Sequence, residues 1–240
     1  MHFTVLVVGE EPELQLEPFQ ENNMGDCPPE FLQFLSMEDE LADEYELNRM
    51  IESPEGDMKP IKELYPTFES FAEEYHGFDK DPRMRKYGYW ENPNSRWDWY
   101  ELGGRWTGAF KLKDGAEGVI GGPSVFRERA PVEEGFVDQA RKGDIDWEGT
   151  MAHDRTLAEE TWDKYKDKKS FLYNIYPEET REEYLSRVCQ FTTHAILMDG
   201  EWSEKEGYDK ETDLAWSKSM KKIIDSLPDD TLLSVYDCHV

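Results

Sequence analysis

Four of the chain's eight tryptophans fall in one 17-residue stretch, Trp90–Trp106, with the sequence WENPNSRWDWYELGGRW. Aromatic side chains dominate core and interface energetics, so a stretch this dense has either to be buried or to bind something. Its turn signals limit how it can be folded. Asn92-Pro93-Asn94-Ser95 and Gly103-Gly104 cut it into short extended pieces, which predicts strands around tight turns.

The block is also the basic island of an acidic chain. The net charge is −27, and residues 1–80 carry 21 Asp/Glu against four Lys/Arg, so −17 of it lies in the first third. Between 81 and 113, Arg83, Arg85, Lys86, Arg96, Arg105, Lys111 and Lys113 face only Asp81, Glu91, Asp98 and Glu101. A strongly negative surface repels nucleic acid and anionic membranes and attracts cations and basic partners. No direct nucleic-acid binding is therefore expected. The plain reading of the charge is solubility. The sharper one is mimicry, in which carboxylates stand in for phosphates inside a basic cleft.

Several classes fall away. With 12 Phe, 12 Tyr and 8 Trp the chain can build a core, unlike a disordered one. The longest apolar run, Phe3–Val8, is too short to span a bilayer and lacks the basic flank and cleavage site of a signal peptide. Cys27, Cys189 and Cys238 form no CxxC pair, which fits free thiols in a reducing compartment. A cytoplasmic protein without a membrane partner is expected.

Strong strand signals stand at 2–8, 193–198 and 232–240, and an amphipathic helix at 212–227 carries Leu214, Trp216, Met220, Ile223, Ile224 and Leu227 on one face. Asp199-Gly200 predicts a hairpin into Trp202, and Asp114-Gly115 another. Further helices are predicted at 152–165 and from Pro177 to about Val188. The fold class expected is α+β. The first and last strands share a ferredoxin-like sandwich sheet, and residues 81–150 form a large aromatic- and Gly-rich elaboration within one composite domain, 1–240.

Three constellations carry chemistry. Arg96, Trp97, Trp99, Tyr100, Arg105 and Trp106 are the candidate ligand-binding residues. Their rings can stack, their guanidinium groups can pair with an anion, and Gly103-Gly104 lets backbone N–H groups approach one closely. The ordinary alternative is a small aromatic core. His2, His194, Asp237 and His239 form the second set: if the first and last strands pair antiparallel and 193–198 runs parallel beside the first, they approach one sheet edge, where a transition metal is conceivable. Strand-end histidines without a ligand are the default, and no HxxEH or CxxC spacing supports a metal. Third, Asp144, Asp146 and Glu148 surround Trp147, where a self-bonded turn is the simpler reading. Ser124 in GGPSV lacks the GxSxG elbow of a hydrolase. No catalytic residue, metal or cofactor is assigned.

The segments MHFTVLVVGE, NPNSRWDWYELGGRW, DQARKGDIDWE and SLPDDTLLSVYDCHV resemble an uncharacterised protein family common in bacteriophage genomes. The resemblance spans most of the chain, with the aromatic block its most specific part and the tract at 10–60 its least. It implies a viral origin and the cytoplasm of a host cell, and lends no catalytic residues. The function expected is a phage accessory or counter-defence protein that binds, sequesters or blocks a host protein or a small anionic, nucleotide-like ligand. The alternatives are a metal-assisted enzyme acting on a nucleotide or phosphate at the histidine–aspartate edge, and an acidic nucleic-acid mimic.

Overall fold

The computed structural model describes residues 1–122, 132–167 and 175–240. Two compact units emerge, one of residues 1–17 with 97–240 and one of residues 18–96. In chain order the elements begin with β1 (His2–Val8), α1 (Pro12–Leu16), β2 (Gln33–Ser36), α2 (Glu38–Leu47), β3 (Met50–Glu52), β4 (Met58–Pro60), α3 (Ile61–Leu64), α4 (Phe68–Ser70) and β5 (Gly88–Glu91). They continue with β6 (Trp99–Leu102), β7 (Phe110–Lys111), β8 (Gly118–Val119), β9 (Phe136–Val137), β10 (Gln139–Arg141) and α5 (Trp147–Tyr165). Last come α6 (Arg181–Val188), β11 (Ala195–Met198), β12 (Glu201–Glu204), α7 (Lys210–Ser226) and β13 (Leu232–His239).

The larger unit is built on a mixed sheet of order β12-β11-β1-β13-β10-β8, with β6 also paired to β13. The apolar run of β1 makes it a central strand, with Val5, Leu6, Val7 and Val8 buried. It runs parallel to β11, with Val5 beside Ala195, and antiparallel to β13, with His2 beside His239. Both pairings are the ones on which the predicted meeting of the histidines is conditional. The free edge of β13 is shared: β10 covers Leu232–Ser234 and β6 covers Tyr236–His239. Residues 81–150 therefore supply strands to the sheet itself rather than only ornament it.

One face of this sheet is closed by α7, whose Met220 and Ile224 pack on Leu6, Val8, Leu233 and Val235. Each such side chain gains about 1.5–3 kcal/mol on burial. Asp209 caps α7, accepting from the N–H groups of Glu211 and Thr212. The fold is α+β, as expected. Its strand order differs from a ferredoxin-like half. There, two parallel strands joined by a helix enclose one strand. Here β12 and β13 run parallel, are joined through α7, and enclose both β11 and β1.

The unit of residues 18–96 has its own core of Leu41, Tyr45, Ile51, Ile61, Phe71 and Tyr87. Two short antiparallel pairs frame it, β2 with β5 and β3 with β4. Asn92 holds its turn from inside, donating to the carbonyls of Pro18 and Gln20.

The predicted strands around the Asn92–Ser95 turn form, and one of the two predicted hairpins does not. β5 and β6 flank the Asn92–Ser95 turn, yet β5 pairs with β2 and β6 with β13. The strands on either side of Asp114-Gly115 likewise pair elsewhere, β7 with β9 and β8 with β10. Turn residues report a local reversal of the chain, whereas partners are chosen by distant apolar surface. The Asp199-Gly200 hairpin does form, with Met198 beside Glu201. Helix α5 starts five residues before the prediction because Asp146 accepts from the Gly149 N–H as its N-cap. The Asp144–Glu148 cluster is thus a helix start. Helix α6 starts four residues after Pro177, on a Thr180–Glu183 capping box.

Candidate functional site

The register of β1, β13 and β6 sets side chains in rows across one sheet face. His2, His239 and Trp99 are cross-strand neighbours in the first row, and Thr4, Asp237 and Glu101 in the second. His2 Nδ1 lies 2.8 Å from Asp237 Oδ1, and His239 Nδ1 lies 2.9 Å from Asp98 Oδ1. The two imidazoles meet edge to face at 4.7 Å, with Trp99 6.0 Å from His2. Three of the four residues predicted to share the sheet edge therefore do so. His194 does not join them. Its N–H donates to the Thr4 hydroxyl and its ring packs on Phe3, and burial lowers its pKa. Among the described residues no group of three His, Cys, Asp or Glu is placed to hold a metal ion. What two carboxylate-oriented imidazoles can do is move protons, with Nδ1 fixed and Nε2 left to act.

Gly103 and Gly104 explain themselves at this edge. Both have positive φ, +72° and +48°, and a Cβ at either would strike an aspartate side chain: a carboxylate oxygen of Asp138 at 2.4 Å from Gly103, and Cβ and Oδ2 of Asp237 at 2.4 and 2.6 Å from Gly104. Asp237, fully buried, accepts from the Arg105 N–H at 2.8 Å. Asp138, also fully buried, accepts from the N–H groups of Gly108, Ala109 and Gly121 at 2.6, 3.2 and 2.8 Å. The N–H groups of Gly103 and Gly104 themselves donate to the carbonyls of Val235 and Leu102, each at 2.8 Å. What the glycines supply is room for two of the protein's own carboxylates, and of the donors to these only Arg105 adjoins the turn.

The six residues predicted to bind a ligand divide. Arg96 is exposed and belongs to the unit of residues 18–96, while the other five belong to the larger unit. Trp97 is buried, its Nε1–H donating to the Leu16 carbonyl, and Tyr100 links it edge-on to Tyr236. Those rings are core. Along β6 the two-residue repeat turns Trp99 to the histidine face instead. Arg105 keeps a buried Nε with no hydrogen-bond partner among the described residues. Trp106 is 41% exposed.

Trp106 stands at the wall of a cleft of about 470 Å³, floored by Thr4 and Val235 of the sheet. Helix α5 contributes Asp154 and Thr161 to it, and the chain at 107–109 and 192–193 completes the sides. The sequence predicts a helix over 152–165, with no role for Asp154. Nothing local marks that carboxyl as unusual. Its character comes from burial, which raises its pKa above the ordinary carboxylate value. Ser124 lies outside the described residues.

No helix among the described residues is long and apolar enough to cross a membrane. No family model matches the chain, and no curated protein or solved structure is significantly similar to it.

Proposed function

We propose that this chain is a bacteriophage accessory protein of the counter-defence kind, working in the host cytoplasm by binding a small molecule rather than by turnover. The observation that carries the reading is the open cleft of about 470 Å³ on the sheet, with a half-exposed tryptophan and, in Asp154, a carboxyl that has no hydrogen bond or ion pair among the described residues. A concave site of this size, lined by many polar side chains, has room for a small polar ligand. The viral origin rests on the four resembling segments. The acidic unit of residues 18–96, with 19 Asp/Glu against eight Lys/Arg, supports a basic host protein as a further partner. Native mass spectrometry of the protein isolated from cells that produce it tests the reading. A retained small molecule, lost in Trp106→Ala, is expected. Only the bare mass, with no shift on adding cell extract, contradicts it.

A second reading is favoured by the pairs His2–Asp237 and His239–Asp98. Here the sheet edge is an acid–base site acting on a nucleotide or phosphate, with protons carried by the imidazoles. It requires turnover of some member of a nucleotide panel, unaffected by chelator and lost in His239→Ala. Absence of product across the panel removes it.

A further inference from the structure

The hydrogen-bonding capacity left in the cleft points to the class of ligand, and this inference rests on the cleft being the binding site. The backbone N–H groups of Gly108 and Ala109 line it and would suit an anion, but both are committed to Asp138. The hydroxyls of Thr107 and Thr193 donate to the carbonyls of Gly104 and Ala195, at 2.8 and 2.6 Å. A hydroxyl has one proton, so these oxygens have only lone pairs to offer. Asp154 has no hydrogen bond or ion pair to any described residue, so its carboxylate is a further acceptor. Arg105, with its unpaired Nε, does not line the cleft, nor does any lysine or other arginine among the described residues. His153 is the one basic group there, 3.8 Å from Glu133.

Thr107, Thr193 and Asp154 therefore offer acceptors, the hydroxyls of Thr4, Thr161, Thr192 and Tyr184 can donate or accept, and the charge that lacks a partner among the described residues is negative. Leaving a carboxylate half-buried and unpaired is unfavourable, which the raised pKa of Asp154 reflects, and a cation relieves it. The exposed ring of Trp106 adds an aromatic face that attracts the same kind of ligand. A chain of net charge −27 concentrates cations around itself and repels anions. We propose that the cleft takes a small organic cation, an ammonium or guanidinium compound, held by Asp154, the threonine oxygens and Trp106. The ligand class expected from the arginines of the aromatic block was the opposite one.

The test is calorimetric titration of the full chain with putrescine, agmatine and spermidine, and with adenosine, AMP and inorganic phosphate. Saturable one-to-one binding of at least one of the three cations is expected, weakened about tenfold by Asp154→Asn and by Trp106→Ala. Asp39→Asn removes the same charge from an exposed helix position and should leave affinity unchanged. Equal weakening by Asp39→Asn and Asp154→Asn would mean counterion association and overturn the proposal. Binding of AMP, phosphate or adenosine with none of the cations overturns the ligand class while leaving the cleft as a binding site. No binding by any of the six, together with the bare mass in native spectra, removes the binding reading as well. Circular dichroism and melting curves of each variant separate lost affinity from lost fold.

Discussion

His2 Nδ1 sits 2.8 Å from Asp237 Oδ1 across the antiparallel pair β1–β13, 235 positions away in sequence. The other oxygen of Asp237 accepts from the Arg105 N–H, so one buried carboxylate ties together β1, β13 and the Gly-Gly turn. Removing it leaves a backbone donor and an imidazole without their acceptor. Asp237→Ala should cost about 3 kcal/mol in urea unfolding. A loss below about 0.5 kcal/mol, the range of an ordinary surface change, would show that the carboxylate does not hold this junction.

The same junction predicts a contrast between two glycines of positive φ. Gly104→Ala combines a left-handed backbone with a Cβ placed against Asp237, and should cost about 3 kcal/mol. Gly115→Ala has φ +78° but open space around it, and should cost about 1 kcal/mol. Equal melting temperatures for the two variants would mean that the turn does not close on Asp237.

Those glycines also show where sequence reading stops. That Gly103-Gly104 forms a tight turn was legible from its composition. That the glycines make room for Asp138 and Asp237 was not, because both carboxylates come from distant parts of the chain. The outer strands and α7 were readable because their apolar periodicity is local. The pairing of β5 and β6 was not, since a turn signal says that the chain reverses and not what each arm then meets. In the aromatic block, strand alternation turns Trp99 to the histidine face, while core packing holds Trp97 and Tyr100.

Alkaline pH should destabilise the fold in a defined window. Tyr236 donates to Glu13 and Tyr87 to Glu73. Burial first, then these bonds, push Tyr87 up to about 12 and Tyr236 well above the usual tyrosine range. Both are raised, so the folded chain holds its protons more tightly than the unfolded one. Their contribution is complete below the unfolded value of about 10 and is lost as pH rises through the folded values. Urea midpoints should fall from pH 10 towards 12, and Tyr236→Phe should flatten that fall. A midpoint that does not change across this range contradicts the assignment.

Arg187 is buried and its guanidinium meets Glu179 twice, at 2.9 and 2.8 Å, and Asp213 at 3.3 Å. Breaking such a cluster from one side strands a charge. Glu179→Ala should lose about 3–5 kcal/mol, and pairing it with Arg187→Met should restore part of the loss. Strict additivity in this double-mutant cycle would show that the pair is not coupled.

The central claim, that this chain takes a small organic cation into the cleft over Thr4, is most directly tested by nuclear magnetic resonance shift mapping during a titration with agmatine. The account predicts saturating shifts concentrated at Thr4, Thr107, Asp154, Thr161 and Thr193. Shifts that spread over exposed acids such as Asp39, Glu40 and Asp43 without saturating, and leave those five signals in place, would contradict it.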